Sequence, residues 1–295
     1  MSGLGFAATL AAALAGVAPA PAARRTEVRI LAFSDYHSHA VPFRSQGRPA
    51  QGGIARALAY VKAARAAGPT LVLAGGDMLN EGVPAWSDEH GCVEWPWLDG
   101  LVDAMALGNH DLDYGPDAFA ACRASTRVPI LSANLVGSDG RPFFTDSGQP
   151  YLVREVGGVR IGAFALAGPD VQRLIAPGDR PPHTRWRDAL QTAREVVAAL
   201  RGKEKVAAVV FFGHQARDDD EAMARAVPGI DLVLGTHSHH QSGLTTIPGT
   251  RTRSIAPYQY LAYVSDLRLR FEDGRLAGME GGLVALDESR PQDPE

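Results

Sequence analysis

Cysteine is nearly absent from this chain: Cys92 and Cys122 are the only two in 295 residues. Neither sits in a metal-ligand spacing such as Cys-x-x-Cys, so the sequence carries no thiolate-site signature. In an exported protein the two can pair as a disulfide; otherwise they are buried free thiols. The sequence gives no Cα separation to decide between these. No basic block occurs, and the formal net charge is -4, so nucleic acid is not expected as an obligatory partner. Arg24-Arg25 and Arg251-Thr252-Arg253 are short enough to be solvated surface. There is no internal repeat and no low-complexity linker after residue 26, which leaves one domain as the simplest organisation. Long apolar runs are missing too. Phe6 to Val17 is Ala-rich, short and weakly hydrophobic, which speaks against a membrane anchor.

That apolar stretch leads into Ala18-Pro19-Ala20-Pro21-Ala22, where Ala20 and Ala22 form a small-x-small cleavage pattern. Residues 1–22 therefore read as a signal peptide cut near Ala22, placing the mature chain in the periplasm or outside the cell. The n-region lacks Lys and Arg, so a plain Ala-rich leader or a misplaced start is the competing reading. No Cys follows the cut, which gives no support to a lipid-anchored form.

Beyond the leader, patterning alternates between strands and helices. Strands are predicted at Glu27–Phe33, Thr70–Ala74, Leu101–Leu107, Pro129–Leu135, Val206–Phe212 and Ile230–Leu234. Helices are predicted at Ile54–Ala67, Pro116–Ala124, Trp186–Arg201 and Asp219–Ala226. Gly157-Gly158 marks a hairpin between Tyr151–Val156 and Val159–Leu166. After Leu244 come further hairpins, with turns at Pro248-Gly249 and Asp273-Gly274. The polar, Pro-rich tail from Asp287 is expected to fray. Helices alternating with buried strands predict an α/β domain with helices packed on a sheet, and the hairpins make that sheet mixed.

Five polar blocks each close a strand-like run: Asp35-Tyr36-His37, Gly75-Gly76-Asp77, Gly108-Asn109-His110-Asp111, Gly213-His214 and Gly235-Thr236-His237-Ser238-His239. Ligands of open α/β sheets gather beyond the carboxyl ends of strands, so these loops can converge. Asp35 and His37 share a face if the segment is extended, as do His237 and His239. Gly76 allows a sharp turn that exposes the Asp77 carboxylate. The candidate metal ligands are Asp35, His37, Asp77, Asn109, His214, His237 and His239. Seven residues fill two sites if Asp77 bridges. Imidazole with carboxylate suits Mn, Zn, Fe or Co better than Ca. Two divalent ions against two carboxylates leave a net positive seat for a phosphate. Such a pair, about 4 Å apart, can clamp the attacking and leaving oxygens of an in-line displacement. His110 follows Asn109 and is aimed elsewhere, at the substrate, with Asp113 three residues on to hold one ring nitrogen. An isolated Asp-x-His, Gly-Gly-Asp or Gly-His is usually a turn fragment; the ordered set of five carries the weight.

At these residues the chain resembles the calcineurin-like metallophosphoesterases, and within them the 5'-nucleotidase branch. Further similar stretches are Ile130-Leu131-Ser132-Ala133-Asn134-Leu135, Leu112-Asp113-Tyr114-Gly115 and Val227-Pro228-Gly229-Ile230-Asp231-Leu232. The resemblance covers about residues 27–286. It implies a four-layer α/β/β/α sandwich in a single metallophosphoesterase domain, 23–286. It also implies one metal on Asp35, His37, Asp77 and His239, and another on Asp77, Asn109, His214 and His237. His110 with Asp113 would be the catalytic dyad. Two-domain members carry a C-terminal nucleobase-binding domain, which is not expected within these 295 residues.

The expected activity is attack of a metal-bridging hydroxide on phosphate monoesters or anhydrides of nucleotide-like compounds. The alternatives are a cyclic-nucleotide phosphodiesterase or sulfur-ester hydrolase of the same fold, and a non-enzymatic scaffold. Trp86, Trp95 and Trp97 form either a base- or sugar-stacking cluster or, more simply, a small core under a loop. His39 and His240 neighbour ligands and can touch substrate or brace the ligands. His183 reads as surface, and Arg44 as a weak phosphate candidate.

Overall fold

The computed structural model describes residues 24–44, 49–82, 86–144 and 148–294. The leader expected at 1–22 lies outside them. In chain order the elements are β1 (Arg25–Phe33), α1 (Ile54–Ala67), β2 (Thr70–Ala74), α2 (Trp86–His90), β3 (Ala104–Ala106), α3 (Gly115–Ser125), β4 (Ile130–Leu131), β5 (Leu135–Val136), β6 (Leu152–Val156) and β7 (Val159–Phe164). Then follow α4 (Pro169–Leu174), β8 (Arg185–Trp186), α5 (Ala189–Gly202), β9 (Ala208–Phe211), α6 (Arg217–Ala226), β10 (Leu232–Leu234), β11 (Gln241–Thr246), β12 (Arg253–Pro257), β13 (Tyr263–Glu272) and β14 (Arg275–Ala285).

Two six-stranded sheets form, ordered β14-β13-β1-β2-β3-β4 and β11-β12-β10-β9-β7-β6, with β5 and β8 as a separate pair. Both large sheets are mixed. β1 runs parallel to β2 and antiparallel to β13, and β12 runs parallel to β10 and antiparallel to β11. The side-chain period of two explains the layering. Val28, Ile30 and Ala32 of β1 and Leu71 and Leu73 of β2 join Ala208 and Val210 of β9 and Leu232 and Leu234 of β10 in the core between the sheets. The intervening residues face outward. Leu31, Phe33 and Val72 pack on Ile54, Ala57, Leu58 and Val61 of α1 and on Phe119 of α3. Val209, Phe211 and Val233 pack on Ala193, Val196, Val197 and Leu200 of α5 and on Met223 of α6. The result is the four-layer α/β/β/α sandwich. A sheet with helices on its faces was the expectation from patterning alone. Strands buried on both sides look the same whether the cover is a helix or a second sheet.

Other differences are local. The strand predicted at Pro129–Leu135 breaks at Ser132-Ala133-Asn134 into β4 and β5, which belong to different sheets. The helix predicted from Trp186 begins at Ala189, because Asp188 caps it by accepting from the Gln191 N–H at 2.6 Å. Trp186 pairs instead in β8. The tail read as frayed is tethered at Asp293, whose N–H donates to Ala55 O at 2.9 Å and whose carboxylate meets Lys62 Nζ at 2.7 Å. Cys92 and Cys122 are joined as a disulfide. No helix among the described residues is long and apolar enough to cross a membrane.

Candidate dinuclear metal centre

β1, β2 and β3 are parallel in one sheet, and β7, β9 and β10 in the other. Their carboxyl ends therefore carry their loops to one place. There the structure gathers two overlapping groups: Asp35, His37, Asp77 and His239, and Asp77, His214 and His237. Within each group one ligand atom per residue lies within 4.8 Å of the others. Asp77 belongs to both. Its Oδ2 lies 3.0 Å from His214 Nε2 and 3.7 Å from His37 Nε2. His37 Nε2 and His239 Nε2 are 2.9 Å apart, and Asp35 Oδ1 is 3.3 Å from His239 Nε2. Asn109 is buried between Gly108 and His110, and the His110 N–H donates to Asp77 Oδ1 at 2.9 Å.

The loops are not extended, contrary to the face-sharing expectation. Asp35, His37, Asp77, His237 and His239 all have positive φ, between 46° and 55°. Left-handed backbone at non-glycine residues is costly and concentrates at functional sites. It also separates His237 from His239, which point into different groups. Two glycines make the approach possible. A Cβ on Gly76 would lie 2.8 Å from Gly108 N and 2.9 Å from His214 Nδ1. One on Gly108 would lie 2.1 Å from Asp77 Oδ1.

Does this constellation fit divalent cations? Two buried oxygens, Asp35 Oδ1 and Asn109 Oδ1, have no hydrogen-bond partner. Native interiors rarely tolerate such atoms without an ion or water. His214 Nδ1 donates to Gly75 O at 2.7 Å, and His237 Nε2 donates to Asp170 Oδ2 at 2.9 Å. That aims His214 Nε2 and His237 Nδ1 at one another, 3.2 Å apart, beside Asp77. Burial alone would lower the His214 pKa, yet the Asp77 and Asp35 carboxylates hold it up at about 10. Burial would raise Asp77, and His214, then His37 and His110, pull it below the ordinary range. The carboxylates thus demand positive charge at this point, and a cation can replace the proton that meets the demand. The donor set fits two borderline divalent ions.

His110 lies beside the two groups, its ring 5.1 Å from that of His37. Its Nδ1 donates to Asp113 Oδ2 at 2.8 Å, and its side chain remains 39% exposed. The bond to Asp113 raises its pKa against the opposing effect of burial.

Two carboxylates given no role by sequence are part of this architecture. Asp111, fully buried, accepts from the N–H groups of Gly108 at 2.7 Å, Met78 at 2.7 Å, Leu79 at 3.1 Å and Asp77 at 3.2 Å. It pins the loop after β2 to the loop after β3. Burial and the charge of Asp77 push its pKa up to about 6 against the bonds from Gly108, Leu79 and Met78. Asp170 follows a sixth strand end, that of β7, in Gly168-Pro169-Asp170, a turn-like sequence that gave no metal signal.

The remaining candidates take supporting places. His39 is buried, donates from Nδ1 to His37 O at 2.9 Å and stacks on Tyr260 at 3.7 Å, so it braces the first loop. Burial lowers its pKa to about 4. His240 is half-buried, and burial lowers its pKa as well. His183 is exposed, and Arg44 pairs with Glu288 at 3.3 Å. Trp95 is fully buried against Phe119, and Trp86 is partly buried against the same core with its indole donating to Glu94 at 3.2 Å; Trp97 is 48% exposed.

The sequence model of calcineurin-like phosphoesterases matches residues 28–241. The chain is 29% identical to the 5'-nucleotidase of Vibrio cholerae, over 95% of this chain and 56% of that one. It is 27% identical to the human 5'-nucleotidase, over 97% of this chain and 54% of that one. This chain thus spans about half the length of these curated relatives. Among solved structures, a 5'-nucleotidase precursor of Thermus thermophilus superposes with a TM-score of 0.74 at 24% identity, covering 91% of this chain and 56% of that one. A sulfate thiohydrolase, SoxB, of Thermus thermophilus gives 0.77 at 21%, covering 90% and 58%. At these identities the structural likeness speaks to the fold.

Proposed function

The chain belongs to the calcineurin-like phosphoesterase family, and from that premise we propose that it hydrolyses phosphate monoesters or anhydrides of nucleotide-like compounds with two divalent cations. The observation that carries this is the pair of Asp/His groups that share Asp77, with buried, unbonded oxygens on Asp35 and Asn109 beside it in sequence and fold. We assign one cation to Asp35, His37, Asp77 and His239 and the second to Asp77, Asn109, His214 and His237. Mn, Zn, Fe and Co all suit these donors. When bound, such ions polarise phosphoryl oxygens and activate water at neutral pH.

The protein's own groups supply the rest. Asp113 keeps His110 Nδ1 protonated, which frees Nε2 to carry the transferable proton. As the P–O bond breaks, its electron pair goes to the leaving oxygen, which takes the proton from His110. The raised pKa of His110 keeps that proton to higher pH than a free imidazole would. Asp111 and the glycine contacts hold Asp77 rigidly, so little reorganisation is needed when substrate arrives.

Export to the periplasm or beyond is part of the proposal. The leader pattern supports it, and so does a disulfide, which persists in oxidising compartments.

The test is a substrate panel on chelated and Mn-reconstituted protein: AMP, UDP-glucose, 2',3'-cyclic AMP and bis-p-nitrophenyl phosphate. Chelator-sensitive phosphate or nucleotide release from AMP or UDP-glucose is expected, and Asp77→Asn should lack it. Activity confined to the two diesters would instead identify a phosphodiesterase. A protein that binds two cations and turns over none of the four would overturn the assignment.

A further inference from the structure

Asn80 stands just beyond the second polar block, and its surroundings connect the two halves of the site. It is buried, and its main chain is anchored: the Ser87 hydroxyl donates to Asn80 O at 2.6 Å, and the Tyr114 hydroxyl does so at 3.1 Å. Its amide orientation is set as well, since Nδ2 donates to Glu81 O at 2.9 Å. That leaves Oδ1 as an acceptor, and His37 Nδ1 lies 3.1 Å from it. A side-chain carbonyl accepts only, so His37 must carry its proton on Nδ1. Nε2 is then the lone-pair nitrogen, and it is the atom facing Asp35, Asp77 and His239. The next residue reaches the other half. The Glu81 N–H donates at 3.0 Å to Asp113 Oδ2, the same oxygen that accepts from His110.

We propose that Asn80 is a positioning residue of this centre: its side chain fixes the tautomer and direction of His37 for a cation, while the adjoining amide fixes Asp113 and through it His110. One dipeptide thereby aligns the first ligand group with the proton donor. The inference rests on the phosphoesterase reading for the role of His110, but its claim about His37 concerns cation binding alone. Groups that hydrogen-bond a ligating imidazole typically control 10–100-fold in metal affinity.

The experiment titrates Mn into chelated protein by calorimetry, without substrate. Asn80→Ala should weaken one of two equivalents about 10–100-fold and leave the other unchanged. Asn80→Asp, which keeps an acceptor at the same place, should restore it. Unchanged affinities in Asn80→Ala, or Asn80→Asp as weak as Asn80→Ala, would overturn the proposal. A second measurement needs no folding-competent Asn80 variant. Nitrogen-15 NMR of the cation-free parent protein, with His37 assigned by its loss in His37→Gln, should show the Nδ1–H tautomer. The Nε2–H tautomer would refute it. Asn80-dependent Mn binding in a protein that hydrolyses no phosphoester keeps this inference and removes the functional one; hydrolysis with Asn80-insensitive binding does the reverse.

Discussion

Asp170 accepts the Nε2 proton of His237 at 2.9 Å, and so turns the Nδ1 of that ring toward His214. Burial would raise the Asp170 carboxyl, but the bond from His237 holds it down at about 2. The carboxylate is therefore ionised at any physiological pH and favours one orientation of the ring. Asp170→Ala should lose about 10–100-fold in affinity for the second cation. At saturating Mn much of the turnover should return, because the reacting groups are untouched. Metal-dependence curves for the two proteins would check this; a turnover deficit that no concentration of Mn repairs would count against it.

The His110–Asp113 pair makes a prediction about pH. A raised pKa means that His110 keeps its proton to higher pH than a free imidazole would. A general acid works only while protonated, so activity should fall on the alkaline side as His110 titrates. Replacing the Asp113 carboxylate by a neutral amide removes its charge and weakens its bond to His110, which lowers that pKa. In Asp113→Asn the alkaline limb of kcat should therefore move to lower pH, and His110→Asn should lose about 10²–10⁴-fold in kcat. Both should melt like the parent. An alkaline limb that stays put in Asp113→Asn would show that another group sets it.

Much of this site was legible because its chemistry comes in residue types that have no reason to follow buried strands. Asn109 and His110 behind Ala104–Ala106 are an example. Each block marked a strand end from which a loop could converge on one spot. The backbone was not legible. Nothing in Asp-Tyr-His announces a left-handed turn at Asp35 and His37, since that conformation is imposed by contacts such as Asp35 N–H to Gly76 O at 3.1 Å and His37 N–H to Asp77 O at 2.8 Å. Asp170 and Asn80 escaped for a related reason. Each acts through one hydrogen bond to a ring distant in sequence, and such a bond leaves no local pattern. The second sheet was hidden because period-two burial reports that both strand faces are covered, not by what.

Away from the centre, Arg29, Tyr60 and Asp266 tie β1, α1 and β13 together. Arg29 Nε donates to Asp266 Oδ1 at 2.8 Å, and its NH2 and the Tyr60 hydroxyl donate to Oδ2. Burial works to raise the Asp266 carboxyl, and the bonds from Arg29 and Tyr60 override it to give a lowered pKa. A depressed folded pKa contributes stability that is present above the unfolded value, about 3.9, and is lost as pH falls through the folded one. Asp266→Asn should cost about 1–3 kcal/mol at neutral pH, since it leaves the guanidinium short of its partner. The gap between variant and parent should narrow below about pH 4. Urea denaturation at pH 7 and pH 3.5 measures it; a gap that widens on acidification would contradict the sign.

The disulfide joins Cys92, in the segment after α2, to Cys122 in α3, closing a loop with a sequence separation of 30. Constraining the unfolded chain over that length is worth about 3–4 kcal/mol by loop-closure entropy. The bonded loop also includes Trp95, buried on Phe119, and Glu94, which accepts from Tyr36 at 3.1 Å beside the first metal block. Replacing both cysteines by serine should therefore lower the unfolding free energy by about that amount. Amide exchange should accelerate first over residues 86–99, a stretch that contributes no strand to either sheet. Because α3 begins two residues after Asp113, loosening there should also reduce kcat while the cation stoichiometry stays at two. A double serine variant that unfolds at the parent's urea midpoint would show that packing around Trp95 and Phe119 already fixes the loop, and that the covalent link adds nothing.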